Sequence, residues 1–116
     1  MSEFPRGWLL TMQAGGGALA SITVPAVPGV VHVLDSFSAV YTCSAATGTA
    51  SANNVQITGG PLLALLALPG GAVGSDSGGG SGLDYATAPG AALTVAFAGA
   101  SPGSFFEFLT IQGHDI

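Results

Sequence analysis

The side chains that could do chemistry are few in this sequence and far apart. There are two histidines, His32 and His114, one cysteine, Cys43, and six acidic residues. Metal sites draw on such residues at short, regular spacings, and the two histidines are more than eighty residues apart. The sequence therefore predicts no metal site and no cofactor. Cys43 has no partner for an intrachain disulfide, and we interpret it as a small buried side chain at the end of a strand.

His32 and Asp35 are close enough in sequence to suggest a Ser-His-Asp arrangement, since serines are plentiful. The G-x-S-x-G elbow that would present a nucleophilic serine is absent, however. Asp76 and Asp84 could serve as an acid and base pair, but both flank a glycine-rich stretch that offers no rigid pocket. We predict that the protein is not an enzyme.

Positive charge is almost missing. Arg6 is the single cation, and the formal net charge is -5 at pH 7. Neutralising nucleic-acid phosphates or binding anionic lipid takes several Lys or Arg on one surface, so we predict neither nucleic-acid nor membrane-surface binding. A P-loop needs a lysine, and the G-x-G-x-x-G fingerprint is absent. The most apolar run, Leu62–Leu68, is far shorter than the roughly 20 residues of a spanning helix.

Small residues dominate the composition. The chain contains 19 glycines and as many alanines, so the core is thin for one domain of 116 residues. An exterior with so few charges is poorly protected against association. Both features favour a protein that gains stability by packing against copies of itself or against a larger partner.

Alternation of apolar and polar residues predicts strands over residues 20–26, 55–57 and 93–98, with a longer strand over residues 30–41 after a turn at Pro28-Gly29. A short strand is expected over residues 83–86. Residues 42–54 indicate a loop or a weak strand plus loop, and the glycine-rich residues 70–82 indicate a loop.

Two apolar segments leave alternatives open. Leu62–Leu68 lies between two prolines and fits a strand or at most a two-turn helix. Residues 105–112 are apolar on both parities, which fits a strand covered by the core on one side and by another subunit on the other. A strand lying wholly inside one domain fits equally well.

Six to eight short strands bounded by Pro or Gly, with no convincing helix, predict an all-β fold. We expect an antiparallel β-sandwich of the jelly-roll type over residues 20–116. The parity of His32 points it towards solvent or a subunit boundary. Asp35 shares the parity of its apolar neighbours, so it marks a β-bulge or bonds to a backbone amide.

The first 19 residues differ from the rest. An apolar tip at Trp8, Leu9 and Leu10 precedes the glycines of residues 15–17. We interpret residues 1–19 as an extended arm that orders on a neighbouring subunit. The alternative is a cleaved signal peptide, since Arg6 precedes the apolar residues and residues 18–20 resemble a small-x-small cleavage site.

Residues 22–41 (ITVPAVPGVVHVLDSFSAVY), residues 55–60 (VQITGG) and residues 82–98 (GLDYATAPGAALTVAFA) resemble small Ala/Gly-rich β-sandwich proteins encoded among the virion genes of tailed bacteriophages. In that group a Pro-Ala-x-x-Gly-x-x-His-x-Leu opening strand pair recurs, here residues 25–34, together with an Ala-Leu-Thr-Val strand, here residues 92–95. The resemblance covers roughly residues 20–112 and leaves out the N-terminal arm.

The resemblance implies a jelly-roll structural protein of the virion. Its expected place is the capsid surface as a trimeric decoration or cement protein, or else a head-to-tail or fibre position. The expected partners are other copies of the chain, as a homotrimer, and the major capsid protein or another virion protein. The candidate contact residues are Trp8, Leu9 and Leu10 in the arm and Phe105, Phe106 and Phe108 in the last strand.

Two rival functions belong to other classes. One is a carbohydrate- or receptor-binding β-sandwich at a fibre tip, which would need exposed aromatic residues on its loops. The other is an extracellular domain on a bacterial cell surface, which a cleaved N-terminus at Ala20 would support.

Overall fold

The computed structural model describes residues 6–15, 18–45, 51–68, 73–98 and 105–116, and all regular structure in them is β-strand. The nine strands are β1 (Arg6–Gly15), β2 (Ser21–Val24), β3 (His32–Cys43), β4 (Ser51–Ile57), β5 (Leu62–Leu68), β6 (Gly74–Gly80), β7 (Tyr85–Ala86), β8 (Leu93–Ala98) and β9 (Phe105–Asp115).

The strands form two antiparallel sheets. The larger has the order β1-β9-β3-β6, with the two-residue β7 also paired to β3, and the smaller has the order β2-β8-β4-β5. With β7 set aside, each sheet has four strands, and the chain crosses repeatedly from one sheet to the other. This jelly-roll-like sandwich confirms the predicted fold class.

Two Pro-Gly turns lie side by side at one end of the sandwich. Gly29 and Gly90 both have positive φ, and the amides of Val30 and Ala91 close the turns onto Val27 and Ala88. These are type II turns, in which Pro fixes the first central residue and Gly accepts the left-handed second one. A hydrogen bond of 2.9 Å from the Gly90 amide to the Val30 carbonyl joins them.

The core lies between the sheets and is built from alternate residues of every long strand. Tyr41 of β3 stacks on Phe105 of β9 with ring centroids 4.7 Å apart, and Phe97 of β8 completes an aromatic group at its centre. Aliphatic side chains such as Leu66 and Leu109 fill the space around these rings.

Residues 6–15, expected to belong to an arm outside the sandwich, form β1 instead. All ten pair with β9 in unbroken antiparallel register, from Arg6 opposite Asp115 to Gly15 opposite Phe106. Ladder hydrogen bonds within the chain satisfy the backbone groups of these residues that face β9. Residues 16 and 17, part of the predicted glycine hinge, lie outside the described residues.

The predicted glycine loop is wrong over residues 74–80, which form β6 against β3. The glycines make room for neighbouring groups: a Cβ on Gly78 would lie 3.2 Å from Leu66 Cδ2, and one on Gly80 would lie 3.3 Å from Phe37 Cε1. The glycine-rich composition favours a loop. In the fold, close packing beneath larger side chains explains why glycine occupies these strand positions.

The remaining element predictions differ in outcome. Leu62–Leu68 is a strand, as predicted, and residues 93–98 form β8 with the expected alternation. β3 extends to Cys43 and β4 begins at Ser51, so regular structure occupies both ends of the segment interpreted as loop or weak strand. Residues 46–50 of that segment lie outside the described residues.

Candidate assembly surface

The outer face of the larger sheet is almost free of charge. Strand alternation and register place the following side chains or glycines on it: Gly7, Leu9, Thr11, Gln13 and Gly15 of β1; Phe106, Phe108, Thr110, Gln112 and His114 of β9; Ser36, Ser38, Val40 and Thr42 of β3; and Ser75, Ser77 and Gly79 of β6. Among the residues that the structure describes, the only ionisable groups on this outer face are His114 and its partner Asp35 at one end. The rest consists of hydroxyls, amides, glycines and apolar groups.

An apolar patch occupies the opposite end of that face. Phe106 and Phe108 are 36% and 37% exposed, and Val40 of β3 lies directly opposite Phe108. The Phe106 ring lies over Gly15 of β1, where an added Cβ would clash with it. Two phenyl rings on one strand, both more than a third exposed, are unusual on a monomeric surface and are typical of contact sites.

The six candidate contact residues separate into two groups. Leu9, Phe106 and Phe108 lie on the outer face, and Leu9 is 66% exposed. Trp8 and Leu10 point the other way and pack against the core.

Phe105 is fully buried against Tyr41, so the prediction that it contacts a partner is wrong for this fold. The alternation of β9 explains the division, since Phe105 shares the parity of Leu109 and Ile111, which also lie in the core.

The smaller sheet has an uncharged outer face of its own. Thr23 and Thr94 share a hydrogen bond of 3.0 Å across β2 and β8. Leu62 and Leu65 of β5 are each 59% exposed there. This second face lacks aromatic side chains, so the larger sheet is the stronger candidate for a protein contact.

His32 is buried beneath the larger sheet, near the start of β1, and links three parts of the chain. Its Nδ1 lies 2.6 Å from Asp115 Oδ1, and its Nε2 lies 2.7 Å from the Pro25 carbonyl oxygen. Trp8 Nε1 donates a 3.0 Å hydrogen bond to the same Asp115 oxygen. Both ring nitrogens face acceptors, so the doubly protonated imidazolium satisfies this arrangement best.

These contacts shift both pKa values. Burial lowers the pKa of His32, but the hydrogen bonds to Asp115 and Pro25 and the Asp115 charge outweigh it, so the pKa lies above 6.5. Burial raises the pKa of Asp115, yet hydrogen bonds from His32 and Trp8, with the charges of His32 and Arg6, hold it below 3.8. The result is a charged pair at mildly acidic pH, between 3.8 and 6.5.

The structure therefore corrects the predicted outward orientation of His32, which is only 1% exposed. Its backbone is held as well, since the Thr87 hydroxyl accepts from the His32 amide at 3.1 Å. Because Pro25 covers Nε2, this histidine has no free nitrogen to activate a serine. The aspartate that it pairs with is Asp115, and not Asp35, its near neighbour in sequence.

Asp35 is unpaired in the β3–β9 ladder, and the register shifts between Leu34 and Ser36. The predicted β-bulge is confirmed. The bulge lets Asp35 accept from or pair with His114, whose Nδ1 lies 2.6 Å from Asp35 Oδ2. Bulges often redirect a side chain in this way.

A buried carboxylate ties the two sheets together near the apolar patch. Glu107 points inward from β9 and is fully buried. Its Oε1 accepts a 2.8 Å hydrogen bond from the Ala20 amide, and its Oε2 accepts from Asn53 Nδ2 of β4. Glu107 thus fastens the β1–β2 connection and the smaller sheet to β9.

Sequence reasoning missed both polar clusters. The inward position of Glu107 could have been inferred from its alternation with Phe105 and Leu109. No sequence signal links His32 to Asp115, because their contact depends on the β3–β9 register at the far end of the chain.

Within the described residues, no group of three or more His, Cys, Asp or Glu side chains is placed to hold a metal ion. No helix with the length and apolar character needed to cross a membrane occurs in the same part of the chain.

Comparison with known proteins adds no identification. No protein-family model matches the chain, and no curated protein matches it.

Proposed function

We propose that this chain is a non-enzymatic structural subunit of a phage virion, a capsid decoration or cement protein that stabilises the shell through assembly. The observation that carries the assembly role is the nearly uncharged outer face of the larger sheet with Phe106 and Phe108 on it. The virion context comes from the sequence resemblance and fits the jelly-roll-like fold.

The size of this face suits a protein contact. Four strands about 4.8 Å apart, each with about ten residues spaced about 3.3 Å, give an area of about 600 Å². One partner in a standard interface contributes about 800 Å², so the face and its rim supply a typical contact area. Uncharged hydroxyl and amide side chains around two phenyl rings match the composition of such interfaces.

The proposed partners are other copies of the chain, as a homotrimer, and the major capsid protein or another virion protein. Cementing follows from mass action, because a subunit that binds the assembled shell and not its dissociated parts shifts the equilibrium towards the shell. With Arg6 as its single cation, the chain offers no basic surface for packaged nucleic acid.

The test measures both self-association and shell binding. Light scattering coupled to size exclusion gives the mass of the purified chain, and cosedimentation with shells that lack it measures binding. The wild-type chain is expected to contain three copies, or a multiple of three, and to bind. Replacing Phe106 and Phe108 together by Ser should abolish binding, while Leu65→Ser, at a more exposed apolar residue on the other sheet, should not.

A monomer that does not bind shells would refute the decoration role. Equal binding by the double phenylalanine variant and the wild-type chain would refute the choice of surface.

A glycan-binding domain of a fibre or cell surface is the second candidate. It is favoured by Phe106 and Phe108 beside the hydroxyls and amides of the same face, because phenyl rings stack on sugars and hydroxyls bond to them. Retardation in polysaccharide gels, lost on replacing the two phenylalanines, would support this function.

A further inference from the structure

The four edge strands of the sandwich are unequally protected. β2 has four residues and is followed by Pro25. β5 and β6 are the edges on the other side, and Asp76 of β6 accepts a 2.8 Å hydrogen bond from the Ala67 amide of β5. Short length, proline and an edge carboxylate are common ways to stop further strand addition.

β1 has none of these devices. It is ten residues long and pairs only with β9 among the described strands. After Arg6 at its start, the strand contains no charged residue and no proline through Gly15. An extended strand of this length leaves a row of N–H and C=O groups along its free side.

Side-chain exposure at β1 indicates the same opening. Met12 has the inward parity of Trp8 and Leu10, yet it is 44% exposed, so the sandwich does not close over it. Leu9 on the outer face is also exposed. The Ser21 amide of β2 donates a 3.4 Å hydrogen bond to Met12 Sδ, but no backbone ladder joins β1 to β2 in the described residues.

We propose that the free edge of β1 pairs antiparallel with β1 of a second copy of this chain, joining the two larger sheets into one. A strand laid along β1 satisfies the open backbone groups. It also covers Leu9 on the outer side of the sheet and Met12 on the inner side.

The sequence of β1 favours a copy of itself as the partner. An antiparallel pair is related by a two-fold axis, so the two Arg6 side chains lie at opposite ends and do not repel each other. The uncharged middle of the strand meets an identical uncharged middle. The contact also closes on itself, which leaves no further β1 edge open.

This contact is separate from the outer face proposed above and adds a two-fold relation to it. If the edge alone associates, the particle has two chains. If the outer face also forms the proposed trimer, pairing of two trimers gives six chains. The particle mass therefore separates failure of the edge from failure of the face.

The first test introduces charge at the edge. Met12→Lys, at a residue of inward parity that lies off the outer face, is compared with Leu65→Lys on β5 by light scattering after circular dichroism has shown a native β spectrum. We expect the edge variant to halve the mass and the control to keep the wild-type mass. Wild-type mass in the folded edge variant, or a wild-type chain that contains an odd number of copies, would overturn the proposal.

The second test uses cysteine substitution at positions 9–13, one at a time, with Leu65→Cys as the control and the native Cys43 left buried. In an antiparallel pair of identical strands, equivalent residues of the two copies lie close together only near the two-fold axis. Oxidation should therefore give disulfide-linked dimers only for cysteines near that axis and not for the control, because only Cα atoms about 4.4–6.8 Å apart can be bridged. Equal cross-linking at every position and at the control would mean random collision and would overturn the proposal.

Hydrogen exchange tests the backbone pairing itself. About half of the β1 amides face the free side, and their exchange should slow as protein concentration rises. Protection that appears only after adding a different protein would overturn self-pairing and assign the edge to that partner.

Discussion

At the residue scale, the His32–Asp115 pair makes the stability of the fold depend on pH, because its contribution is lost towards both high and low pH. The raised pKa of His32 stabilises the fold fully below pH 6.5, and this contribution is lost as pH rises through the folded value. The lowered pKa of Asp115 stabilises the fold fully above pH 3.8, and this contribution is lost as pH falls through the folded value.

We therefore expect the pair to contribute most between pH 3.8 and 6.5. Asp115→Asn should cost about 3 kcal/mol near pH 5.5, since it leaves the buried imidazolium without its counter-charge. Urea unfolding at several pH values measures this. Asp84→Asn is the control, because Asp84 is exposed and its positive φ is tolerated by Asn. Parallel pH profiles for Asp115→Asn and wild type would contradict the prediction.

Glu107 gives a second prediction at this scale. Glu107→Ala leaves the Ala20 amide and the Asn53 side chain without their shared acceptor in a buried place, so we expect a loss of about 3 kcal/mol in the free energy of unfolding. Glu107→Gln keeps one acceptor oxygen and should cost less. Gln112→Ala, exposed on the same strand, should stay within about 0.5 kcal/mol of wild type. Equal stability of Glu107→Ala and wild type would count against this role.

At the element scale, two glycines on different strands should respond very differently to alanine. A Cβ on Gly113 would clash with the Val33 carbonyl oxygen and the Trp8 ring, whereas one on Gly78 would meet only the side chains of Leu66 and Ala64, at 3.2 and 3.3 Å. Backbone cannot move aside as a side chain can.

We expect Gly113→Ala to cost at least about 3 kcal/mol and Gly78→Ala about 1 kcal/mol. Denaturant unfolding gives both values, and Trp8 fluorescence should shift to the red in the first variant only. Similar losses in the free energy of unfolding for the two variants would contradict this prediction. They would mean that β1 and β3 can move away from Gly113.

At the scale of the whole molecule, low charge should make association insensitive to salt. Contacts through the outer face or the β1 edge involve phenyl rings, hydroxyls and backbone groups, and salt screens only charges. We expect the same particle mass in light scattering from low to high sodium chloride, and tighter association in sulfate, which strengthens apolar burial. Dissociation on adding sodium chloride would contradict this prediction and would indicate that charged groups dominate the contact.

Much of the fold could be predicted from local patterns. Alternation over residues 93–98, the Pro28-Gly29 turn and the bulge at Asp35 each depend on a few neighbouring residues and on steric rules that hold in any context. The outward positions of Phe106 and Phe108 follow from the same alternation.

Other features depended on contacts between distant parts of the chain. The glycines of β6 indicate a loop by composition, but they form a strand because Phe37 and Leu66 occupy the space that their side chains would fill. An apolar tip ahead of three glycines favours a free arm, and only pairing with β9 gives residues 6–15 a place in the sheet.

What the sequence alone determined is the class of this protein: an all-β sandwich with a thin core, very low surface charge and no basic surface, because composition and period-two patterning act residue by residue. Tertiary structure decided which apolar residues are available to a partner and which ionisable groups meet. It buried Phe105, exposed Leu9 and Met12 at an edge, and joined His32 to Asp115, because strand register brings together residues whose separation in sequence carries no signal.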